Sequence, residues 1–509
     1  MKRYLYILLI MCSPLAIYGQ QRLLTDSLHY SVELQATLSS GDHTPLWLNA
    51  NRYGLSSLKT ENGYLRGSVS RPLSADDGRK WGVGYGVDVA VAAGFTSTLV
   101  IQQAYAEGRW LKGTLTIGAK EYPMELKNQE LSSGSQTLGI NARPVPQVRL
   151  ALPEYWTIPG TKNWLALKGH IAYGKTTDDN WQKDFKAPQA KYTEDALYHS
   201  KAGYLRIGKE GKPFSAELGL EMACQFGGTS YFYTEKGLQV SKNSSGVKSL
   251  LRAIVPGGGD SVDGDYQNAS GNHLGSWVAR LNFDYPKWNL GIYGDHFFED
   301  GSAMFPIGYN GYGTGDKWNE KVKQKYFLLG MKDWLLGVEL KLKEVSWLNI
   351  IVVEYLYTKY QSGAVYHDHT KTISDNICGR DNYYNHQIYT GWQHWGMVMG
   401  NPLYCSPLYN ENGKIEVANN RFVAWHLGLA GSPTDRLKYR VIATWQRGYG
   451  TYFNLFYNPR ETVSLMAEAN YRMTGGWSIK TAIGLDSGKL YGDNVGIQFT
   501  IAKTGIFNL

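Results

Sequence analysis

Apolar and polar residues alternate strictly in the segment 81–95, WGVGYGVDVAVAAGF. Every odd position is apolar, whereas every even position is Gly, Ala or Asp. Because successive side chains of a strand point to opposite faces, this segment predicts a β-strand with one continuous apolar face and one small, polar face. The same two-faced pattern recurs in the segments 213–227, 277–285, 437–446 and 477–486.

The lengths and connections of these segments separate them from the strands of a soluble β-sandwich. Strands of soluble proteins typically have about 5–6 residues, and most of the segments here are roughly twice as long. Aromatic residues end the apolar stripes, and very short connections such as 111–113 alternate with very long ones such as 361–420. This pattern is typical of outer-membrane barrels, in which the sheet must close because lipid cannot bond an open edge. The predicted fold class is therefore all-β: a closed antiparallel transmembrane β-barrel with long extracellular loops and short periplasmic turns.

The pattern predicts eighteen strands, an even number that places both termini on the periplasmic side. The long connection 176–198 can carry a short helix. The predicted strands are 29–39, 64–71, 81–94, 99–110, 113–121, 146–155, 163–174, 200–208, 213–227, 273–285, 288–297, 326–343, 347–360, 421–431, 436–447, 461–473, 477–486 and 493–504.

Composition agrees with an exported barrel. The chain is 43% hydrophobic with 58 Gly and 37 Tyr, and no later apolar run reaches the length of about 18 residues that a spanning helix needs. The N-terminus has a basic start at Lys2 and Arg3, an apolar core and the small residue Gly19. We interpret residues 1–19 as a cleaved signal peptide and residues 20–509 as the barrel domain. We expect outer-membrane lipid around a monomer and no nucleic-acid partner.

Charges on the inward faces bear on pore function. These positions carry nearly equal numbers of cationic and anionic side chains, among them Arg440 and Glu468. An ion-selective pore would favour one sign. The balance indicates cross-strand ion pairs that stabilise the barrel wall.

Two short motifs could suggest metal binding or catalysis. His367-Asp368-His369 supplies only half of a zinc site, and a solvated loop explains it better. His296, Glu299 and Asp300 could form an acid/base group, but a turn signal explains Asp300 equally well. No Ser/His/Asp grouping points to an enzyme. We therefore expect no catalysis, no metal and no cofactor.

The loop 361–420 is the strongest candidate for a binding site, because it concentrates aromatic rings between amides and imidazoles. Aromatic faces stack on sugar rings, and the polar groups can bond sugar hydroxyls. The alternative is that these aromatic residues pack the loop into the barrel mouth as a plug. The predicted polysaccharide-binding residues are Tyr383, Tyr384, His386, Trp392, His394 and Trp395, together with Glu299 and Asp300.

Three cysteines follow the signal peptide, at positions 224, 378 and 405. An exported protein can form disulfides. Cys378 and Cys405 fall in one surface loop, whereas Cys224 lies on an apolar, lipid-facing stripe. We predict a Cys378–Cys405 disulfide and a free Cys224.

Several segments resemble the Wzi family of capsule-assembly proteins, in the long form common in Bacteroidetes. They span nearly the whole mature chain. The resemblance implies an eighteen-stranded outer-membrane barrel that acts as a surface lectin without catalysis. The segments are GDHTPLWLNANRYG at 41–54, KNQELSSGSQTLGINARPVPQV at 127–148, YGDHFFEDGSAMF at 293–305, VEYLYTKYQSG at 353–363 and DNYYNHQIYTGWQHWGMVMGNPL at 381–403.

Three functional hypotheses follow. The leading one is a lectin-like barrel that anchors capsular polysaccharide or exopolysaccharide at the cell surface. The alternative is an outer-membrane porin or sugar channel, and an enzyme is the third. Conductance in a planar bilayer distinguishes the first two hypotheses, because only a channel stays open.

Overall fold

The computed structural model describes residues 24–209, 211–254, 271–299, 304, 310–312, 315–323, 332–366 and 377–507. The predicted signal peptide, Asp300 and the motif His367-Asp368-His369 lie outside these residues. So does the side chain of Cys378.

In the described part of the chain, eighteen antiparallel strands form one closed sheet, which confirms the predicted barrel and its strand number. Each strand pairs with its neighbours in sequence, and the first strand pairs with the last from Leu28↔Phe507 to Ser40↔Val495. The strands are β1 Leu28–Ser40, β2 Glu61–Arg71, β3 Trp81–Ala93, β4 Leu99–Trp110, β5 Gly113–Ala119, β6 Gln147–Thr157, β7 Leu165–Lys175, β8 Leu197–Ile207, β9 Phe214–Phe226, β10 Asn272–Asp284, β11 Trp288–Glu299, β12 Trp334–Leu342, β13 Ile350–Tyr357, β14 Phe422–Gly431, β15 Leu437–Gly450, β16 Leu455–Arg472, β17 Trp477–Gly488 and β18 Asn494–Phe507.

The alternation in β3 divides the wall into a lipid face and a lumenal face, as predicted. Val87 is 56% exposed on the outside, whereas Asp88 is 4% exposed and lies in the lumen. The small residues of the inner face make room for long side chains of β4. A Cβ atom added to Gly86 would lie 2.7 Å from the ring of Tyr105, so that only glycine fits beneath this ring.

Ion pairs cross the lumenal face of the wall, as the balanced charges predict. Arg440 Nε lies 2.8 Å from Glu468 Oε1 on the neighbouring strand. Arg66 donates two hydrogen bonds to Asp88, at 2.8 and 2.5 Å.

Long connections lie at the extracellular end of the barrel and shorter turns at the periplasmic end. The extracellular loops contain three helices, α1 Leu46–Asn49, α2 Trp181–Phe185 and α3 Val247–Ile254, and α2 is the short helix expected in 176–198. They also contain the short strands Tyr192–Glu194, Thr229–Thr234, Gly237–Lys242, Asn310–Tyr312, Lys321–Lys323, Ser362–Tyr366, Ile377–Arg380, Gln393–His394 and Met397–Val398. Single 3-10 turns are Leu73–Asp76, Gly315–Lys317, Pro407–Tyr409 and Thr474–Gly476.

Helix α3 lies on the outer wall over Cys224. The expectation that Cys224 faces lipid is therefore wrong. Cys224 is completely buried in a cluster with Ala253 of α3. Lys201, on the outer face of β8, donates a hydrogen bond to the carbonyl of Ala253 at 3.1 Å and another to that of Ile254. The helix therefore covers part of the wall that the pattern assigns to lipid. Cys224 is nevertheless a free thiol, as predicted.

None of the helices in the described ranges combines the length and the apolar character needed to cross a membrane.

Candidate functional site

Three extracellular loops fold inward and occupy the lumen: 41–60, 120–146 and 381–420. We call these three loops the plug. Glycines on the lumenal face of the wall let these loops pack closely against it. A Cβ atom added to Gly484 would lie 2.7 Å from Leu48 Cγ, and one added to Gly428 would lie 2.6 Å from the carbonyl oxygen of Leu131. The small inner faces therefore make room for the plug as well as for wall side chains.

The loop 120–146 reaches deep into the barrel and is bonded to the wall by buried charges. Lys127 Nζ lies 2.8 Å from Asp295 Oδ2 on β11. Glu354 on β13 accepts hydrogen bonds from Ser132 Oγ at 2.6 Å and from Ser133 N at 2.8 Å.

The same loop extends into the periplasmic half of the lumen. Its Asn128 donates to Glu339 at 3.0 Å, and its Glu130 carbonyl accepts from Arg440 at 2.7 Å. Glu339 and Arg440 lie three residues from the periplasmic ends of β12 and β15. The plug therefore extends through much of the barrel's height.

The loop 381–420 lies on the extracellular side of loop 120–146 and is bonded to its backbone. Trp392 Nε1 donates to the carbonyl of Thr137 at 3.1 Å, and Asn401 Nδ2 donates to that of Gly134 at 2.9 Å. Trp392 also stacks on Tyr198 of the wall, with ring centroids 5.8 Å apart. The two loops and the wall thus pack as one unit.

Most of the predicted polysaccharide-binding residues lie inside this packing. Tyr384, Trp392, Tyr383 and His394 are 0%, 0%, 1% and 2% exposed, respectively. Glu299, 7% exposed, accepts a hydrogen bond from the backbone N–H of Tyr384 at 2.5 Å. Such burial favours the packing alternative for these five residues, because their faces and polar groups are already in contact with protein.

Trp395 differs from its neighbours because part of its side chain reaches the extracellular surface. Its backbone is left-handed, with φ of 54°. The guanidinium of Arg143 lies 4.3 Å from the ring centroid, and the indole nitrogen lies 3.4 Å from Thr177 Oγ1. Asp178 and Gln182 border the same small pocket. The sequence pattern missed Arg143 and Thr177 because they lie in other loops.

His386 also keeps partial exposure, but its ring has a structural role. Its Nδ1 accepts a hydrogen bond from the backbone N–H of Ile388 at 3.0 Å. Its carbonyl oxygen accepts one from Lys191 at 2.5 Å. His386 therefore supports the shape of the loop.

His394 connects two loops of the extracellular face as a neutral ring. Its Nδ1 bonds the carbonyl of Arg143 at 2.8 Å, and its Nε2 accepts from the backbone N–H of Thr177 at 3.1 Å. Burial lowers the pKa of His394 to about 4 and that of Arg143 to about 10. Protonation of Nε2 would place its hydrogen directly opposite the N–H hydrogen of Thr177. The neutral ring has no hydrogen on Nε2 and therefore avoids this repulsion.

The predicted Cys378–Cys405 disulfide is not formed in the structure, because Cys405 is a free, buried thiol. Residues 404–406 are all buried within the plug. Burial raises the pKa of the Cys405 thiol to about 11. This environment keeps the thiol protonated and unreactive at neutral pH.

A cavity of about 340 Å³ remains between the plug and the wall of β4–β9. Trp392, Tyr198, Arg149 and His170 are among the residues that border it. In the parts of the chain that the structure describes, no three His, Cys, Asp or Glu side chains are grouped so that they could hold a metal ion.

In sequence, the chain matches no protein-family model and no curated protein. Among solved structures it is similar to Wzi, an outer-membrane protein involved in group 1 capsule assembly in Escherichia coli and a carbohydrate-binding β-barrel, with a TM-score of 0.54. The chain shares the fold of Wzi. The likeness covers 94% of this chain and 85% of Wzi at 14% identity. It therefore confirms, for the fold alone, the resemblance drawn from the sequence.

Two barrels of Pseudomonas aeruginosa are also similar in shape. OccD3 (OpdP) matches with a TM-score of 0.44 and 9% identity over 96% of this chain and 93% of its own. OprD matches with a TM-score of 0.43 and 10% identity over 94% of this chain and 95% of its own. These likenesses are too weak to carry an argument about function. Together with the closed sheet, the likeness to Wzi shows that the chain has the fold of an outer-membrane β-barrel.

Proposed function

We propose that this protein binds capsular or extracellular polysaccharide and anchors it at the cell surface, as a monomer and without catalysis. The plug is the observation that carries the proposal. Loops bonded to the wall through buried charges leave little space for free diffusion through the barrel. The same bonds hold the extracellular ends of the loops rigidly, and a binding surface needs such rigidity. The similarity to Wzi, a carbohydrate-binding barrel, supports the same function.

Among the predicted residues, Trp395 is the best candidate for sugar contact. Its partly exposed ring is held by Arg143, and the partly exposed carboxylate of Asp178 supplies hydrogen-bond acceptors nearby. An aromatic face next to such groups suits a sugar ring, which has apolar C–H faces and hydroxyl edges. Tyr383, Tyr384, Trp392 and His394 then act indirectly, by holding the loop that carries Trp395.

The test compares Trp395→Ala with Trp347→Ala. Trp347 is also exposed, at 64%, but it lies in the periplasmic turn between β12 and β13. Loss of one stacking contact weakens binding by about 1 kcal/mol per site, and multivalent attachment of a long polymer can mask part of this loss. We therefore expect lower cell-bound polysaccharide for Trp395→Ala only, at low expression of the protein. Heat-modifiable gel mobility reports whether each variant still forms a folded barrel. Equal retention by the two folded variants would exclude Trp395 as a contact.

The cavity beside the plug favours a second candidate function, passage of a small sugar through the barrel. Its volume of about 340 Å³ lies within the range of small-molecule pockets, about 300–1,000 Å³. Planar-bilayer recordings of the full chain distinguish the two functions. The anchoring function predicts a membrane that stays closed, whereas stable open-channel steps would favour the sugar channel.

A further inference from the structure

Four cations lie at the extracellular rim of four neighbouring strands. Lys332 precedes β12, Lys359 follows β13, Arg421 precedes β14, and Arg447 lies near the end of β15. The four strands are consecutive in the sheet, and strands are spaced by about 4.8 Å, so that the row extends over about 15 Å. We call these four residues the cationic rim.

The alternation of the strands places the cationic rim on the outside of the barrel. The sequence neighbours Asp333, Thr358, Phe422 and Gln446 are at most 1% exposed and pack toward the lumen. Neighbouring side chains in extended chain point to opposite faces. The four cations therefore project from the wall on the side that meets lipid.

Their height along the barrel matches the outer boundary of the membrane. An apolar band of about 25 Å corresponds to about ten residues of a strand tilted by about 40°. Tyr439, whose hydroxyl bonds the carbonyl of Trp347 in a periplasmic turn, marks the lower boundary on β15. Ten residues further along, the band ends near Tyr449. Arg447 and its neighbours in the cationic rim therefore lie at the level of the outer lipid headgroups.

Each cation of the rim lies over a tyrosine ring. Tyr449 lies between two of them, at 4.0 Å from Lys359 Nζ and 5.9 Å from the Arg447 guanidinium. Lys332 lies 4.6 Å from the ring of Tyr360, and Arg421 lies 3.9 Å from that of Tyr452. These rings fix the positions of the cations without neutralising their charge.

Carboxylates are scarce beside the cationic rim. Among the described residues, Glu461 pairs with Arg447 at 3.5 Å, and the lumen-facing Asp333 attracts Arg421, so that the cations of the rim still outnumber these two carboxylates. By contrast, two cations of the periplasmic turns are paired: Lys343 with Asp284 at 2.6 Å and Lys287 with Glu344 at 3.3 Å. The rim therefore holds a surplus of positive charge.

We propose that the cationic rim binds the phosphate-bearing headgroup of a lipid in the outer leaflet. Guanidinium and ammonium groups bond phosphate oxygens strongly, and the lower polarity of the headgroup region strengthens the attraction. Tyrosine rings suit this depth because one end of the ring is apolar and the other polar. The cationic rim is separate from Trp395. The lipid-binding proposal can therefore be tested independently of polysaccharide anchoring.

The test measures binding of diphosphoryl lipid A to the detergent-solubilised full chain. Lys359→Gln/Arg421→Gln removes two rim charges, and Lys287→Gln/Lys343→Gln removes two charges at the periplasmic turns as a matched control. We expect the rim variant to bind about ten-fold more weakly or worse, because each charge-assisted bond contributes substantially to affinity. The control should bind like the unmodified protein. Lipid A from which both phosphates have been removed should bind equally to all three proteins.

Several outcomes would overturn the proposal. Equal weakening by the two double variants would mean that only net charge matters. Unchanged lipid A binding with a loss of acidic-polysaccharide binding would assign the rim to the polymer. Because Arg421 also bonds the carbonyl of Lys359 at 3.0 Å, Arg421→Lys guards against a folding defect. This charge-preserving variant should keep most of the binding, and a loss as large as that of the double variant would contradict phosphate binding.

Discussion

The buried ion pair between the plug and the wall makes a quantitative prediction for Asp295→Ala. The Lys127 and Asp295 side chains are 1% and 0% exposed. Asp295 also accepts a hydrogen bond from the backbone N–H of Gln136 at 3.1 Å. Removal of one partner of a buried pair destabilises by about 3–5 kcal/mol, because the remaining charge has neither water nor a partner. Glu221 still attracts Lys127 in the variant, so that we expect the lower end, about 3 kcal/mol.

Two assays measure this effect. Urea unfolding in lipid vesicles should show a lower free energy of unfolding for Asp295→Ala. Planar-bilayer recordings should show transient conductance, because loop 120–146 loses a bond that holds it in the lumen. Lys127→Met/Asp295→Leu removes both charges and should recover most of the stability, since replacement of a buried pair by apolar residues is often neutral. If Asp295→Ala unfolds and conducts like the unmodified protein, the ion pair does not hold the plug.

Three further predictions follow from the wall, the extracellular loops and the thiols. Val87→Arg should lower the free energy of unfolding by about 2–4 kcal/mol, because Val87 lies at the middle of β3 and faces lipid. Asp88→Asn should lower it by less. If refolding into vesicles ranks the two variants the other way, the register of β3 is wrong. Burial holds the pKa of His394 at about 4, below its unfolded value of about 6.5, so that its neutral ring stabilises the fold fully above pH 6.5 and this stability is lost as the pH falls toward 4. In urea titrations at stepped pH, the unmodified protein should lose about 3 kcal/mol more than His394→Gln as the pH falls from 6.5 to 4; an equal loss in the two proteins would assign the pH dependence to other groups. Cys224 and Cys405 are buried and free, so that a thiol reagent should label them only in denatured protein, and labelling of native barrel at either position, seen by mass spectrometry, would show an open structure there.

The wall of the barrel could be predicted because its signal is local. Alternation with a period of two assigns Val87 and Asp88 to opposite faces without knowledge of any distant residue. Alternation also locates the strands, and the same rule holds around the whole circumference. It fails where another element covers the wall, as α3 covers Cys224, because the pattern shows an apolar stripe but not what lies against it.

The plug could not be predicted in the same way, because its bonds join residues far apart in sequence. Lys127 and Asp295 are 168 positions apart, and no periodicity relates them. Composition treats Trp392 and Trp395 alike, yet one is buried and the other reaches the surface. Trp395 lies at the surface against Arg143 and Thr177 of two other loops, and these contacts leave no local signal in the sequence. The glycines at 428 and 484 were the available signal, because a lumenal face without side chains must be filled by something else.

Polysaccharide on cells that lack the protein tests the proposed function most directly. The measurement separates polymer that stays on the cells from polymer released into the medium, in a deletion strain and in the same strain with the protein restored. Anchoring predicts that cell-bound polysaccharide falls, that released polymer rises by a matching amount, and that restored protein reverses both changes. Unchanged cell-bound polysaccharide in the deletion strain would contradict the proposal.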